Sequence, residues 1–384
     1  MTVSAVHHAS EYSSSSARVI TQLVIIATAL VLVICAIGAN QRWLDRHFLP
    51  SFLFSHATYV QLETCARFAM AVAGAMLIRV APRAGRWAGR SPAQACRVTV
   101  AAVLALAVSE PALRAARLGN AQWLRQEEEP LRRPDPRLGW TLVPARTAHA
   151  SINGRIVDYA IDAAGYRIRR PDAPVDPERP TILFAGESVM FGWGLTWDES
   201  VPGQVEAMTR TQSANIAVQG FASDQAYLRL ETELPRFRRP VAVISLFMPE
   251  VFGRNFDAER PHLGPGLVWL PPDRRSRLQS LARLLVPYHG DEVVERTMTV
   301  TREVFQATIE LARARSATPL VVVPQFGDED EARHTLRRRI LDDAGVPYAL
   351  IEIDPSWRIP WDRHPDARAA HAMAAAIVAR LDLH

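Results

Sequence analysis

Residues 181–194 read TILFAGESVMFGWG, and the fold follows from how this run is parsed. Thr181 to Ala185 is short, apolar and rich in strand formers, without polar alternation, which is the pattern of a strand buried on both faces in a parallel sheet. Gly186 permits a tight turn, and helix-compatible sequence starts close to Ser188. Strand, turn and helix in that order put the Ser188 hydroxyl at the carboxyl edge of a sheet, beside a helix N-terminus. Such a place favours developing negative charge and leaves backbone N–H groups free to bind it. Alone, Gly186-Glu187-Ser188 is weak evidence, because a serine after a strand is most often an N-cap.

The second half of the constellation lies near the C-terminus. Trp361-Asp362-Arg363-His364-Pro365-Asp366 precedes ARAAHAMAAAIVARL, an Ala-rich helix, so Asp362 and His364 sit on a loop that leads into a helix beside the sheet. An aspartate two positions from a histidine can orient it through one ring nitrogen while the other accepts a serine proton. Asp354, after the strand-like YALIEI, is the competing acid and reads better as a loop cap.

These blocks resemble the SGNH (GDSL-like) hydrolase family, of the membrane-anchored bacterial type. GESVMFGWG is similar to its first block, with Glu187 in place of Asp, and Asp362, His364 and Pro365 match its last. Gly220 in NIAVQGFASDQ matches the glycine whose amide helps to bind the oxyanion. The likeness runs from about Leu138 to His384, including YAIDAAGYRIRRP before the nucleophile. It implies a three-layer α/β/α fold with a central, mainly parallel sheet, and catalysis by Ser188, His364 and Asp362 without a cofactor or metal.

One block departs from the pattern. The family's Gly-x-Asn-Asp, whose Asn donates to the oxyanion, is replaced after VAVISLF by MPEVFGRNFD. Pro249 has no side-chain donor and an ionised Glu250 would repel an oxyanion. Asn255 is therefore the remaining side-chain candidate for the oxyanion hole, beside the amides of Ser188 and Gly220. Losing such a donor costs about 10²–10³ in rate. Trp193 and Glu250 are candidate substrate-binding residues, although Trp193 and Trp197 serve equally as core or rim packing.

Outward from this domain, Pro171 to Pro180 is a proline-rich joint, and GWTLVP, ASINGRIVDYAID and AAGYRI are strand-like. Asn153-Gly154 between alternating segments signals a hairpin. QEEEPLRRPDP, from Gln126 to Pro136, is a charged connector.

Further upstream, VITQLVIIATALVLVICAIGA (Val19 to Ala39) carries no formal charge and is long enough to cross a hydrocarbon core of about 30 Å. It exceeds a signal-peptide core and lacks a basic n-region. Two weaker segments follow, near 65–81 and 98–113, interrupted by Arg67 and Glu110; buried soluble helices are the alternative there. Between them Arg79, Arg83, Arg86, Arg90 and Arg97 occur with no acidic residue, and short Arg-rich connections stay cytoplasmic. Three spans then deliver the C-terminal domain to the periplasmic or extracellular face of a bacterial inner membrane, and a single span delivers it to the same side.

Composition excludes several classes. All 44 basic residues are Arg, the formal charge is only +4, and no basic block interleaves with aromatics, so nucleic acid is not a partner. Cys35, Cys65 and Cys96 all precede Arg97 and show neither metal-ligand spacing nor a disulfide framework. His262, His289, His334 and His371 are scattered, and DEDEAR (328–333) is a solvated loop entering a helix. Pro261 to Glu295 is longer than a strand-to-helix connection needs and holds a Leu/Arg-rich stretch with the makings of an amphipathic helix or lid.

The expected organisation is a disordered cytoplasmic tail (1–16), a membrane region (17–118), a linker with a small β extension (119–180), and the hydrolase-like domain (181–384). The expected function is a membrane-anchored serine esterase or O-acyltransferase acting on acyl esters, with the bilayer and an acylated extracytoplasmic polysaccharide as partners. The alternative is a catalytically silent, glycan-binding scaffold among envelope-assembly proteins.

Overall fold

The computed structural model describes residues 3–52, 55–115, 131–152, 154–273, 276–278, 289–360 and 362–381. Contacts divide the chain into two units. Met1–Phe48, Ser55–Ala121 and Arg275–Tyr288 form the first; Leu49–Phe54, Gln122–Arg274 and His289–His384 form the second.

In the first unit the helices are α1 (Val3–Gly38), α2 (Gln41–His47), α3 (His56–Arg90) and α4 (Pro92–Ala115). Three stretches are long and apolar enough to span a bilayer: Ser15–Gly38, His56–Arg90 and Pro92–Arg114. These helices fit a membrane anchor, and their Leu, Ile and Val side chains are largely exposed, as lipid-facing surfaces are. The helix α1 runs through the Ser-rich stretch expected to be disordered. The second span is also longer than hydropathy indicates. At 35 residues α3 extends about 50 Å, so its last turns outrun a hydrocarbon core. The expected Arg-rich connection is therefore helical, with only Ser91 between α3 and α4. Arg79, Arg83, Arg86 and Arg90 lie three or four residues apart and form one exposed stripe, while Ala81, Gly85 and Ala88 form a buried one.

The two interrupting charges are both satisfied. Arg67 donates from Nε to the Ala36 carbonyl at 2.9 Å, which also serves an otherwise orphaned C=O near the end of α1. Glu110 accepts from Ser276 Oγ and from the amides of Arg277 and Leu278. The rest of the Leu/Arg-rich stretch expected to form an amphipathic helix, 279–288, lies outside the described residues, as does the connector from Gln126 to Pro130.

The second unit is built on an eight-stranded sheet. After a separate hairpin of β1 (Arg132–Asp135) and β2 (Gly139–Leu142), the chain supplies β3 (Thr147–Ile152), β4 (Arg155–Ile161), β5 (Arg167–Ile168), β6 (Pro180–Ala185), β7 (Gln212–Asn215) and β8 (Arg239–Leu246). A small hairpin, β9 (His262–Leu263) and β10 (Trp269–Leu270), precedes β11 (Thr318–Phe326) and β12 (Tyr348–Ile353). The sheet order is β12-β11-β8-β6-β7-β5-β4-β3. From β12 to β7 all pairings are parallel, and β5, β4 and β3 continue antiparallel. The β3–β4 hairpin pairs Ile152 with Arg155, where the Asn153-Gly154 signal falls; Asn153 itself lies outside the described residues.

Alternation along the strands separates two apolar layers. Ile182 and Phe184 of β6, Ala242 and Ile244 of β8, and Val322 of β11 pack on one face with Val201 and Val205 of α6 (Val201–Thr209) and with Met373 and Ile377 of α10 (Ala367–Val378). On the other face Leu183 and Val243 meet Leu230 of α7 (Ser223–Glu233) and Ala312 of α8 (Asp291–Ala314), and Val321 and Val323 meet Phe305 and Ile309 of α8. With α9 (Glu331–Arg337) after β11, the result is a three-layer α/β/α domain. Because β6 has parallel neighbours on both sides, reached by chain excursions in opposite directions, its carboxyl end is the topological switch point where ligands bind in open α/β sheets.

Candidate active site

Ser188 opens α5 (Ser188–Phe191) directly after β6. Gly186 between them has φ of +156°, and a Cβ there would lie 3.0 Å from Met190 Cβ and 3.1 Å from Leu246 Cβ, so the turn needs glycine. Glu187 caps the helix by accepting the Val189 amide at 3.2 Å. Its other oxygen, Oε2, lies 2.5 Å from Ser188 Oγ and 3.2 Å from Arg254 Nη1. Glu187 and Ser188 are each 5% exposed.

The far side of this turn is clamped by side chains that sequence reasoning missed. Arg167, from β5 and 1% exposed, donates to the carbonyls of Phe191, Gly192 and Leu195. Its guanidinium lies 4.8 Å from the centroid of the Tyr159 ring, and burial lowers its pKa to about 10. Asn215, at the end of β7, adds hydrogen bonds to the Met190 and Phe191 carbonyls. The Met190, Phe191 and Leu195 carbonyls take their hydrogen bonds from these two side chains, whereas the Gly192 carbonyl also accepts the Leu195 amide at 3.1 Å.

His364 comes from the loop between β12 and α10. Its Nε2 lies 2.8 Å from Ser188 Oγ, and its Nδ1 hydrogen-bonds Asp362 Oδ1. The loop is held by Ile359 N–H donating to the His364 carbonyl at 2.7 Å, and by Asp366 capping α10. Burial pushes the Asp362 carboxyl up, yet the bonds from His364 and from the Trp193 side chain outweigh it and leave the pKa below the ordinary value. Trp193, expected to meet substrate, thus stands behind the acid. It stacks on Tyr159 at 5.8 Å and 9°, and Tyr159 Oη accepts the Gly194 amide at 2.8 Å.

A hydroxyl has one proton, so Ser188 can donate either to His364 or to Glu187. Arg254, held also by the Phe221 carbonyl, shares Glu187 Oε2 and weakens that competing acceptor.

Gly220 follows β7 with φ of +79°. The preceding carbonyl, Gln219 O, accepts from Arg132 Nη1 and Trp140 Nε1, both at 3.0 Å. Carbonyl and N–H of a trans peptide point in opposite directions, so pinning this carbonyl also fixes the direction of the Gly220 N–H. The β1–β2 hairpin thereby reaches the site. Gln219 is 5% exposed, and among the described residues neither its Oε1 nor its Nε2 has a hydrogen-bond partner.

Asn255 is committed elsewhere. Its Oδ1 accepts the Ser223 amide at 3.1 Å and its Nδ2 donates to Thr301 Oγ1 at 3.2 Å, tying the start of α7 to α8. Glu250 is buried, 3.2 Å from Arg333 in an ion pair, and burial raises its pKa against the pull of Arg333 and Arg358. Its backbone carbonyl accepts the Phe52 N–H at 2.9 Å. Trp197 is buried with Nε1 on Glu206, 3.2 Å away.

Fold and site together define a three-layer α/β/α domain with serine, histidine and aspartate in hydrogen-bonded sequence at the carboxyl edge of the parallel strands. Solved structures to which the chain is similar include a GDSL-like lipase from Bacteroides thetaiotaomicron, at 14% identity and TM-score 0.33 over 54% of this chain and 90% of that one. Another is a member of the lipolytic protein G-D-S-L family from Veillonella parvula, at 12% identity and TM-score 0.32 over 52% and 96%. A third is a family two carbohydrate esterase from Clostridium thermocellum in complex with cellohexaose, at 13% identity and TM-score 0.35 over 54% and 65%. No family model and no curated protein matches the sequence.

Proposed function

We propose that the protein is a membrane-anchored serine esterase or O-acyltransferase that works outside the cytoplasm on O-acyl esters of a polysaccharide. The observation that carries the enzymatic part is the continuous chain Asp362–His364–Ser188, with 2.8 Å between imidazole and hydroxyl. His364 Nε2 takes the Ser188 proton as Oγ bonds the acyl carbon, and Asp362 stabilises the resulting imidazolium. The imidazolium returns the proton to the leaving alkoxide as the ester C–O bond breaks. Water then cleaves the acyl-enzyme, or a sugar hydroxyl takes the acyl group by the same route.

The oxyanion meets the amides of Ser188 and Gly220. Because Asn255 is spent on α7 and α8, the unpartnered Gln219 amide is the side chain we assign as third donor. The polysaccharide and the extracytoplasmic side rest on the family resemblance and on the membrane helices.

Fluorophosphonate labelling of the full-length protein in detergent tests the chemistry. Labelling that disappears in Ser188→Ala is expected. No labelling of the wild type above that control would leave the glycan-binding scaffold as the better reading.

A further inference from the structure

Leu49–Phe54, the segment between α2 and α3, belongs by its contacts to the catalytic unit although helices of the membrane region flank it on both sides. Leu49 packs against the cluster of Phe247, Phe252 and Phe256, Pro50 is buried, and Phe52 packs against the main core. The Phe52 amide donates to the Glu250 carbonyl at 2.9 Å. Its ring centroid is then 4.9 Å from that of His364, at an interplanar angle of 55°.

Behind Phe52 stands Arg358, with its guanidinium 6.0 Å from the Phe52 centroid and 3.7 Å from that of Phe326. Arg358 also donates to the Arg363 carbonyl, one residue before His364. Phe326, Arg358, Phe52 and His364 thus form a continuous layered contact.

We infer that Phe52 is a positioning residue of the active site, supplied by the link between the first two membrane helices. Two hydrogen bonds to the edge of an imidazole fix its in-plane position but leave it able to tilt. A ring packed against it opposes that tilt and excludes water, so that Nε2 stays on Ser188 while Nδ1 stays on Asp362. The His364 side chain is only 14% exposed, and Phe52 is part of what covers it. The proposal rests on the triad reading above in assigning His364 its role.

The experiment uses full-length protein in detergent micelles and the variants Phe52→Ala and Phe52→Tyr. One readout is hydrolysis of p-nitrophenyl acetate; the other is the rate at which diethyl pyrocarbonate modifies His364, followed by mass spectrometry. In Phe52→Ala, kcat should fall by up to about 10²-fold with KM unchanged, the scale on which small misplacements act. His364 modification should become several-fold faster. Tyr keeps the ring, and Phe52→Tyr should stay near wild type in both readouts. Wild-type modification kinetics in Phe52→Ala, or equal loss in the Ala and Tyr variants, would overturn the inference. A wild type without turnover would defeat the enzymatic reading instead, and the His364 modification rates would still decide the role of Phe52.

Discussion

Two side chains bear on the proposed oxyanion hole, Asn255 and Gln219. Asn255 is the residue an altered third block leaves as a side-chain donor, yet both its polar atoms bind Ser223 and Thr301. Gln219 attracts no attention in NIAVQGF, since a glutamine at a strand end is normally a surface residue, and its significance comes only from burial without a partner. The two variants should therefore behave oppositely. Asn255→Ala removes two hydrogen bonds and should cost about 1–3 kcal/mol of stability, with kcat per folded molecule nearly unchanged. Gln219→Leu replaces two unsatisfied buried atoms with apolar ones, so it should be neutral or stabilising, while kcat falls by about 10²–10³ as for loss of one oxyanion donor. Melting temperature and kcat measured together check this, and a Gln219→Leu variant with full kcat would remove Gln219 from the oxyanion hole.

At the scale of elements, what was legible in the sequence was local. TILFAGES reads as strand, turn and helix because its apolar run and its glycine are contiguous, and Asp362 with His364 reads as a pair because only Arg363 separates them. The supports of the site come from far away in the chain and leave no local signal. Trp193 behind Asp362, Tyr159 behind Trp193, and the Arg132–Trp140 grip on Gln219 all require the three antiparallel strands and the β1–β2 hairpin to be in place first. Sequence places that extension before the domain; in the structure β3, β4 and β5 continue the main sheet, and the β1–β2 hairpin remains a separate sheet that reaches the site through Arg132 and Trp140. Arg167 shows the dependence most directly, because one β5 side chain satisfies three carbonyls of the nucleophile turn. Arg167→Met fits the volume but leaves the Leu195 carbonyl unpaired, at about 1–3 kcal/mol for an unsatisfied buried group, while the Phe191 carbonyl keeps Asn215 and the Gly192 carbonyl keeps the Leu195 amide. The expected outcome is a melting temperature lowered by about 2–12 °C, at about 2–4 °C per kcal/mol in a domain of this size. Fluorophosphonate labelling should be lost at temperatures where the rest of the domain remains folded, and equal loss of both signals would mean that the clamp serves the whole sheet.

For the whole molecule, the proposed extracytoplasmic side makes a topology prediction that can be tested on the full-length chain. Hydropathy marks the three apolar stretches but stops short of the end of α3, because the last turns of that helix are basic rather than apolar. The stripe of Arg79, Arg83, Arg86 and Arg90 is helical and exposed, with only one residue between it and α4. Cationic side chains of this kind are retained on the cytoplasmic side. The segment Leu49–Phe54, at the other end of α3, belongs to the catalytic unit. The proposed topology has three spans; the alternative is a single span, with α3 and its arginines on the same side as the serine. Single cysteines introduced into a variant in which Cys35, Cys65 and Cys96 are Ala separate the cases. With a membrane-impermeant maleimide on intact spheroplasts, Ala173→Cys should label and Ser91→Cys should label only after permeabilisation. Labelling of both in intact cells would reduce the anchor to a single span, and the reverse pattern would put the serine and its histidine in the cytoplasm.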